Sequence, residues 1–216
     1  MGIKLLIAIK NPHTAAALSA DLCSMFLTSE LLLHAYLQGA FPMAHPDEGD
    51  EIYWHTPAMR GLIPLDERFR VPKNLLRQYR NKDYEFYINR SFSEVIRACR
   101  ENRQDGSWIS DEIIEAYEQL HRDGFAHSFE TWHEGKLVGG LYGVAIGKAF
   151  FGESMFYRER DASKLALLFL VEFLREKKFK LLDTQYLNPH LLQFGAFEAP
   201  HENYMPMLRD ATRIED

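Results

Sequence analysis

Three apolar segments in close succession set the tightest limit on this chain: "AHSFETW" from residue 126, "KLVGGLYGVAI" from 136 and "KAFFGESMFY" from 148. Only "HEG" and "IGK" join them, and connections that short leave neighbouring strands one arrangement, an antiparallel meander. "SKLALLFLVEFLREKKF" follows, helical in pattern, with its basic residues gathered in the last turn where they suit the helix dipole. "KLLDTQY" then reads as a short buried strand. Three strands, a helix and a further strand describe an α+β sheet.

That series places a carboxylate oddly. In "FFGESMFYRERDASKLAL", residues 150 to 167, Glu153 stands between bulky apolar runs, and four charges follow directly before the helix. From the residues alone, Glu153 reads equally as a strand end facing water or as an acid set into a site. Asp183 and Gln185 in "LLDTQY" lie two apart, so on a strand they share a face. They fit a functional pair or a satisfied hydrogen-bonded pair in the core. Trp108 and Trp54 lie in loop-like stretches, where an aromatic stacks a nucleobase or fills a gap between domains.

Upstream, "SELLLHAYLQ" (29–38) reads as a short helix with Ser29 as its cap, and "FPMAHPDEGDEIYWHTP" after it as loop. "SFSEVIRACRENR" carries a capping box, Ser91 to Glu94, and "SDEIIEAYEQLHRDG" a Ser110 cap, an acidic first turn and a stop at Gly124. Two prolines in "TPAMRGLIP" suggest a boundary, which divides the chain into a small N-terminal α/β domain, 1–62, and a larger one, 63–216.

The run "LLIAI" near the N-terminus is too short for a secretory core, and no apolar run approaches a bilayer span. Cys23 and Cys99 fit no metal or redox spacing, and the nine histidines no ligand motif. A cytoplasmic, membrane-free, metal-free monomer is the expectation. Net charge is −6, yet residues 66–103 hold ten Lys/Arg against six Asp/Glu, which permits a basic face.

The strand and helix order matches the core of the Gcn5-related N-acetyltransferase (GNAT) fold. Members that bind acetyl-CoA place a glycine-rich loop before the helix, where backbone N–H groups hold pyrophosphate. Here that loop is "YRERDAS", with no glycine and two acids, so CoA binding is disfavoured.

"LLLHAYLQGAFPM", "DGSWISDEIIEAYEQLHRDGFAHSFETW", "GKLVGGLYGVAIGKAFFGESMFYRERDASKLAL" and "LLDTQYLNPHLLQFGAFE" resemble, in order and spacing, the leucyl/phenylalanyl-tRNA–protein transferases. The resemblance covers about residues 30 to 205. It implies a small N-terminal domain before a GNAT-like domain, with aminoacyl-tRNA as co-substrate and no cofactor. The implied partners are Leu-tRNA, Phe-tRNA and proteins with N-terminal Arg or Lys. Transfer of leucine, or less readily phenylalanine, to their α-amine creates a degradation signal of the N-end rule. The alternatives are a CoA-dependent N-acyltransferase of the same fold and a non-catalytic reader of basic N-termini.

By the same resemblance, Asp183 orients Gln185, which contacts the attacking amine, and Glu153 suits a cationic acceptor. Leu141, Phe150, Leu170 and Leu174 match the aminoacyl pocket, and Trp108, Tyr117 and Met43 the border of the terminal adenosine. Arg70, Lys73, Arg77 and Arg80, in the basic 66–103 stretch, are the expected tRNA contacts, and "RVPKNL" (70–75) retains Lys73 where the family commonly has "HxSRSL". The chain departs from the family at Met43, where Trp is common, and at "YWHTP" (53–57), where "WWSP" is usual.

Overall fold

The computed structural model describes residues 27–48, 51–81, 83–101 and 107–213. The apolar run near the N-terminus and Cys23 lie outside them.

Helix α1 (Ser29–Leu37) begins one residue earlier than its sequence signal: Thr28 is the cap, its hydroxyl accepting from the Leu31 N–H at 3.2 Å, because Ser29 is already helical. The stretch expected to be loop is a hairpin. β1 (Phe41–His45) pairs antiparallel with β2 (Glu51–His55), Phe41 opposite His55, and the proline and acids at 46–48 form the turn between them. Pro42 is tolerated because a two-stranded hairpin consists entirely of edges.

The remaining strands build one seven-stranded sheet in the order β4-β5-β6-β7-β8-β3-β9. Their ranges are β3 (Met59–Ile63), β4 (Tyr84–Ile88), β5 (Ala126–His133), β6 (Lys136–Ile146), β7 (Ala149–Tyr157), β8 (Leu181–Gln185) and β9 (Phe197–Pro200). β5, β6 and β7 form the expected meander. The chain then crosses through α5 (Ala162–Glu176) to β8, which runs parallel to β7. This is the α+β, acetyltransferase-like fold the sequence pointed to. The boundary expected at 62/63 falls inside β3, which hydrogen-bonds to β8 on one edge and β9 on the other.

Helices cover both faces. α5 lies across β5, β6 and β7, with α2 (Lys73–Tyr79) beside it. α3 (Phe92–Glu101) and α4 (Asp111–Arg122) cover the opposite face, and α1 and α6 (His201–Thr212) complete it near β3 and β8. Strands enclosed on two sides need apolar side chains at every position. Phe150, Leu182 and Ile63 therefore enter the α5-side core, while their neighbours Phe151, Leu181 and Leu62 enter the other.

Both predicted caps sit where expected, with one difference. Ser110 accepts from the Ile113 N–H at 3.3 Å. The Ser91 N–H donates to Glu130 Oε1 at 2.8 Å instead of to Glu94, whose carboxylate pairs with Arg158. Buried Glu130 also accepts from Ser128 Oγ–H and Trp132 Nε1–H.

Candidate active site

The two strands that diverge create the site. β7 and β8 pair from Ala149↔Leu181 to Phe151↔Asp183, and there the register ends. Glu153 and Gln185 each lie two residues farther on, one on either side of the gap. Both strands are bulged at this level. Gly152 faces Gly143 and Ser154 faces Tyr142, which leaves Glu153 as the extra residue of β7. Asp183 faces Leu62 and Gln185 faces Gly61, which leaves Thr184 as the extra residue of β8. A bulge re-aims a side chain and bends its strand, so two at one level open the sheet. Gly61 permits the second: a Cβ there would lie 2.8 Å from Thr184 Oγ1 and from the backbone of Tyr186 and Leu187.

A cleft of about 960 Å³ occupies the gap. Leu141, Leu167, Leu170 and Leu182 line its α5 side, and Met43, Trp108 and Glu153 line the side toward α1 and α4. Leu141 and Leu170, expected in an aminoacyl pocket, are in the lining. Phe150 and Leu174 stand in the core behind it, Leu174 one turn farther along α5. Met43 and Trp108 line the cleft, but Tyr117, expected to border an adenosine, points into the protein and is fully buried.

Tyr117 instead belongs to the surroundings of Glu153. The Tyr36 hydroxyl donates to Glu153 Oε1 at 2.7 Å and the Tyr117 hydroxyl to Oε2 at 3.2 Å, and the two hydroxyls also touch each other. Burial raises the Glu153 pKa from 4.5 to about 7, against the Tyr36, Gln185 and Tyr117 side chains, which favour the charged form. Burial, followed by the nearby Glu153 charge, also pushes both tyrosines well above their ordinary value, so they serve as donors.

Asp183 and Gln185 do not share the cleft. Asp183 is fully buried behind it, where Arg60 Nε donates to both carboxylate oxygens at 2.9 and 2.8 Å and the Tyr204 hydroxyl to Oδ2 at 2.6 Å. Its link to Gln185 runs through the backbone, since Oδ1 accepts the Gln185 N–H at 2.7 Å. Gln185 has φ +64°, the left-handed region, which costs a side-chain-bearing residue about 1–3 kcal/mol. The bulge at Thr184 and this reversal break the simple alternation that put both residues on one face. Gln185 lines the cleft, 6% exposed, and its Nε2 completes no hydrogen bond of normal geometry. Sequence reasoning missed Arg60, although an arginine inside the apolar strand "MRGLI" is the signal that finds it.

Known proteins match this chain along nearly all of the described length. The family model for leucyl/phenylalanyl-tRNA protein transferase covers residues 62–209, and that for its N-terminal domain covers 25–58. The chain belongs to this family. A leucyl/phenylalanyl-tRNA–protein transferase of Akkermansia muciniphila is 53% identical over 186 residues, 86% of this chain and 96% of that one. Another, of Herpetosiphon aurantiacus, is 50% identical over 182 residues, 84% and 93% of the two chains. The solved structure of FemX shares the fold at TM-score 0.52 and 12% identity, over 67% of this chain and 60% of that one.

The transferase has a second concavity beside the first. Arg77 of α2 and Arg80 just past its end line a groove of about 900 Å³ with Asn74, Gln78, Glu159, Arg160 and Asp161, and Arg160 also lines the cleft. Arg70 and Lys73 are exposed outside that lining. Around the "RERDAS" loop, the N–H groups of Arg158, Glu159, Ala162, Lys164 and Leu165 are all taken by carbonyls of the chain itself. Among the described residues, no group of three or more His, Cys, Asp or Glu is placed to hold a metal ion, and no helix is long and apolar enough to cross a membrane.

Proposed function

We propose that this chain transfers leucine, and less readily phenylalanine, from aminoacyl-tRNA to the α-amine of proteins that begin with Arg or Lys. The observation that carries this reading is the cleft itself, which joins a leucine-lined pocket on one sheet face to a carboxyl of pKa about 7 on the other. The donor's apolar side chain enters between Leu141 and Leu170, its adenosine lies toward Met43 and Trp108, and the acceptor amine approaches Glu153 and Gln185.

The chemistry asks little of the protein. An aminoacyl ester is already activated, so positioning supplies most of the catalysis. A peptide α-amine has a pKa of about 7.7–8.0. Ionised Glu153, at about 7, is close enough to exchange a proton with it, and matching to the operating pH is what general base work requires. The neutral amine attacks the ester carbonyl, a C–N bond forms, the bond to the ribose oxygen breaks, and the amine's proton ends on that oxygen. Asp183, expected to orient Gln185, acts from behind the cleft through the Gln185 backbone.

Several observations support a tRNA donor without a cofactor. In the loop before α5 the Arg158 and Glu159 N–H groups donate to the Val138 carbonyl, and the loop offers acids in place of glycines where a CoA pyrophosphate would lie. Arg77, Arg80 and Arg160 line a groove that adjoins the cleft, suited to the phosphates of an acceptor strand. We place the reaction in the cytoplasm, carried out by a monomer, with the product entering degradation by the N-end rule. Purified protein is offered Leu-tRNA, Phe-tRNA or acetyl-CoA with peptides beginning Arg, Lys or Ala. Leucylation of the Arg and Lys peptides alone supports the reading. Acetylation from acetyl-CoA without leucylation, or peptide binding without turnover, contradicts it.

A further inference from the structure

We propose that Arg60 is a positioning residue for the acyl transfer, acting through Asp183 to hold the Gln185 amide in the gap between β7 and β8. The proposal rests on the functional reading above and assigns how that site is kept in shape.

The contacts form one chain. Arg60 is 1% exposed, and its guanidinium lies between the rings of Phe41 and Tyr204, 4.8 Å from each centroid. Nη1 donates to the Gly39 carbonyl at 3.0 Å, just past the end of α1, and Nη2 stands 2.8 Å from Asp183 Oδ2. Burial works against the Arg60 charge, but Asp183 outweighs it, so the guanidinium pKa is raised. Every donor that reaches Asp183 comes from a different part of the molecule: Arg60 from β3, the Tyr204 hydroxyl from α6 and the Gln185 N–H from its own strand. Asp183 therefore presents both oxygens to the protein and neither to the cleft.

What this arrangement secures is a residue that would not adopt its conformation alone. Gln185 is left-handed at a bulge, and such a residue persists only where its surroundings over-determine it. Its N–H is fixed by Asp183 Oδ1, and Asp183 is fixed by the Arg60 fork. The amide at the end of this chain is buried, lines the cleft and lies beside the Glu153 carboxyl, whose charged form it favours, so the chain of contacts ends at the two side chains the acceptor amine approaches.

A double-mutant cycle on leucine transfer to an Arg-peptide separates the two roles, because residues acting through one another are not additive. Arg60→Lys keeps the charge and loses the fork; Tyr204→Phe removes a single hydroxyl and is the second probe should Arg60→Lys fail to fold. Each variant is melted first, and kcat and KM are measured on the folded protein. We expect kcat to fall about tenfold or more in Arg60→Lys and about threefold in Tyr204→Phe, with both KM values nearly unchanged. In a Gln185→Ala background the same substitutions lower kcat no further. Equal losses with and without Gln185, or a parental kcat in both variants, overturn the proposal. If the parent protein itself transfers no leucine, the functional reading fails, and this proposal with it.

Discussion

Burial decides what Glu153 does and what it costs the protein. Its carboxyl binds a proton up to about pH 7 in the native state but only to 4.5 when unfolded. The native state therefore holds more protons across that window. The stability contribution of protonated Glu153 is complete below 4.5 and is lost as pH rises through about 7. Glu153→Gln is isosteric with the protonated form and removes this dependence. It should raise stability by up to about 3 kcal/mol at about pH 8 and change little near pH 4.5, read by thermal melts at both pH values. Leu170, by contrast, acts by shape. Leu170→Ala enlarges the pocket, and kcat/KM for Leu-tRNA should fall roughly tenfold or more while Phe-tRNA loses less, measured in competition. From pattern alone the leucines of this pocket were legible only as apolar residues, and only the family resemblance singled out Leu141 and Leu170; which leucines reach the cleft depends on where α5 lies, and position along a helix does not give that.

At the level of elements, the two bulges shape the site. Neither was visible in sequence, because a bulge is a relation between strands and its signal at Gly61 is one glycine among many. Gly61→Ala would push a methyl group against the backbone of Tyr186 and Leu187 and disturb the turn that sets Gln185. A loss of about 1–3 kcal/mol in stability is expected, with a fall in kcat on the molecules still folded. Calorimetry and transfer assays on the same sample measure both. The meander and α5 were legible because long apolar runs need no partner to be recognised. β3 and β9 were not, since five- and four-residue strands acquire their identity from β8 and from each other. α6 carries Pro206 inside it, which masks a helix in sequence, and the β1–β2 hairpin hid behind the proline and acids of its own turn.

On the scale of the whole molecule, an acidic chain gathers three arginines in one groove, beside Glu159 and Asp161. Arg77, Arg80 and Arg160 converge there from α2, its C-terminal cap and the loop before α5, although net charge is −6. Counterion release makes each phosphate contact salt-dependent. Arg77→Ala and Arg80→Ala should each weaken tRNA binding, and the dependence of log affinity on log salt should become shallower by about one unit for each phosphate no longer held. Filter binding across a salt series checks this. The proposed function, however, joins the two faces of the sheet: leucine held on the α5 side would pass to an amine whose proton Glu153 takes. The decisive measurement is the pH dependence of single-turnover leucine transfer from Leu-tRNA to a saturating Arg-peptide, for the parent and for Glu153→Gln. The parental rate should rise through about pH 7, and the Glu153→Gln rate should lack this step, stay far below the parental rate above pH 7 and rise only with the amine's own ionisation at about pH 7.7–8.0. Equal rates and the same pH profile in both proteins would contradict a proton transfer to Glu153.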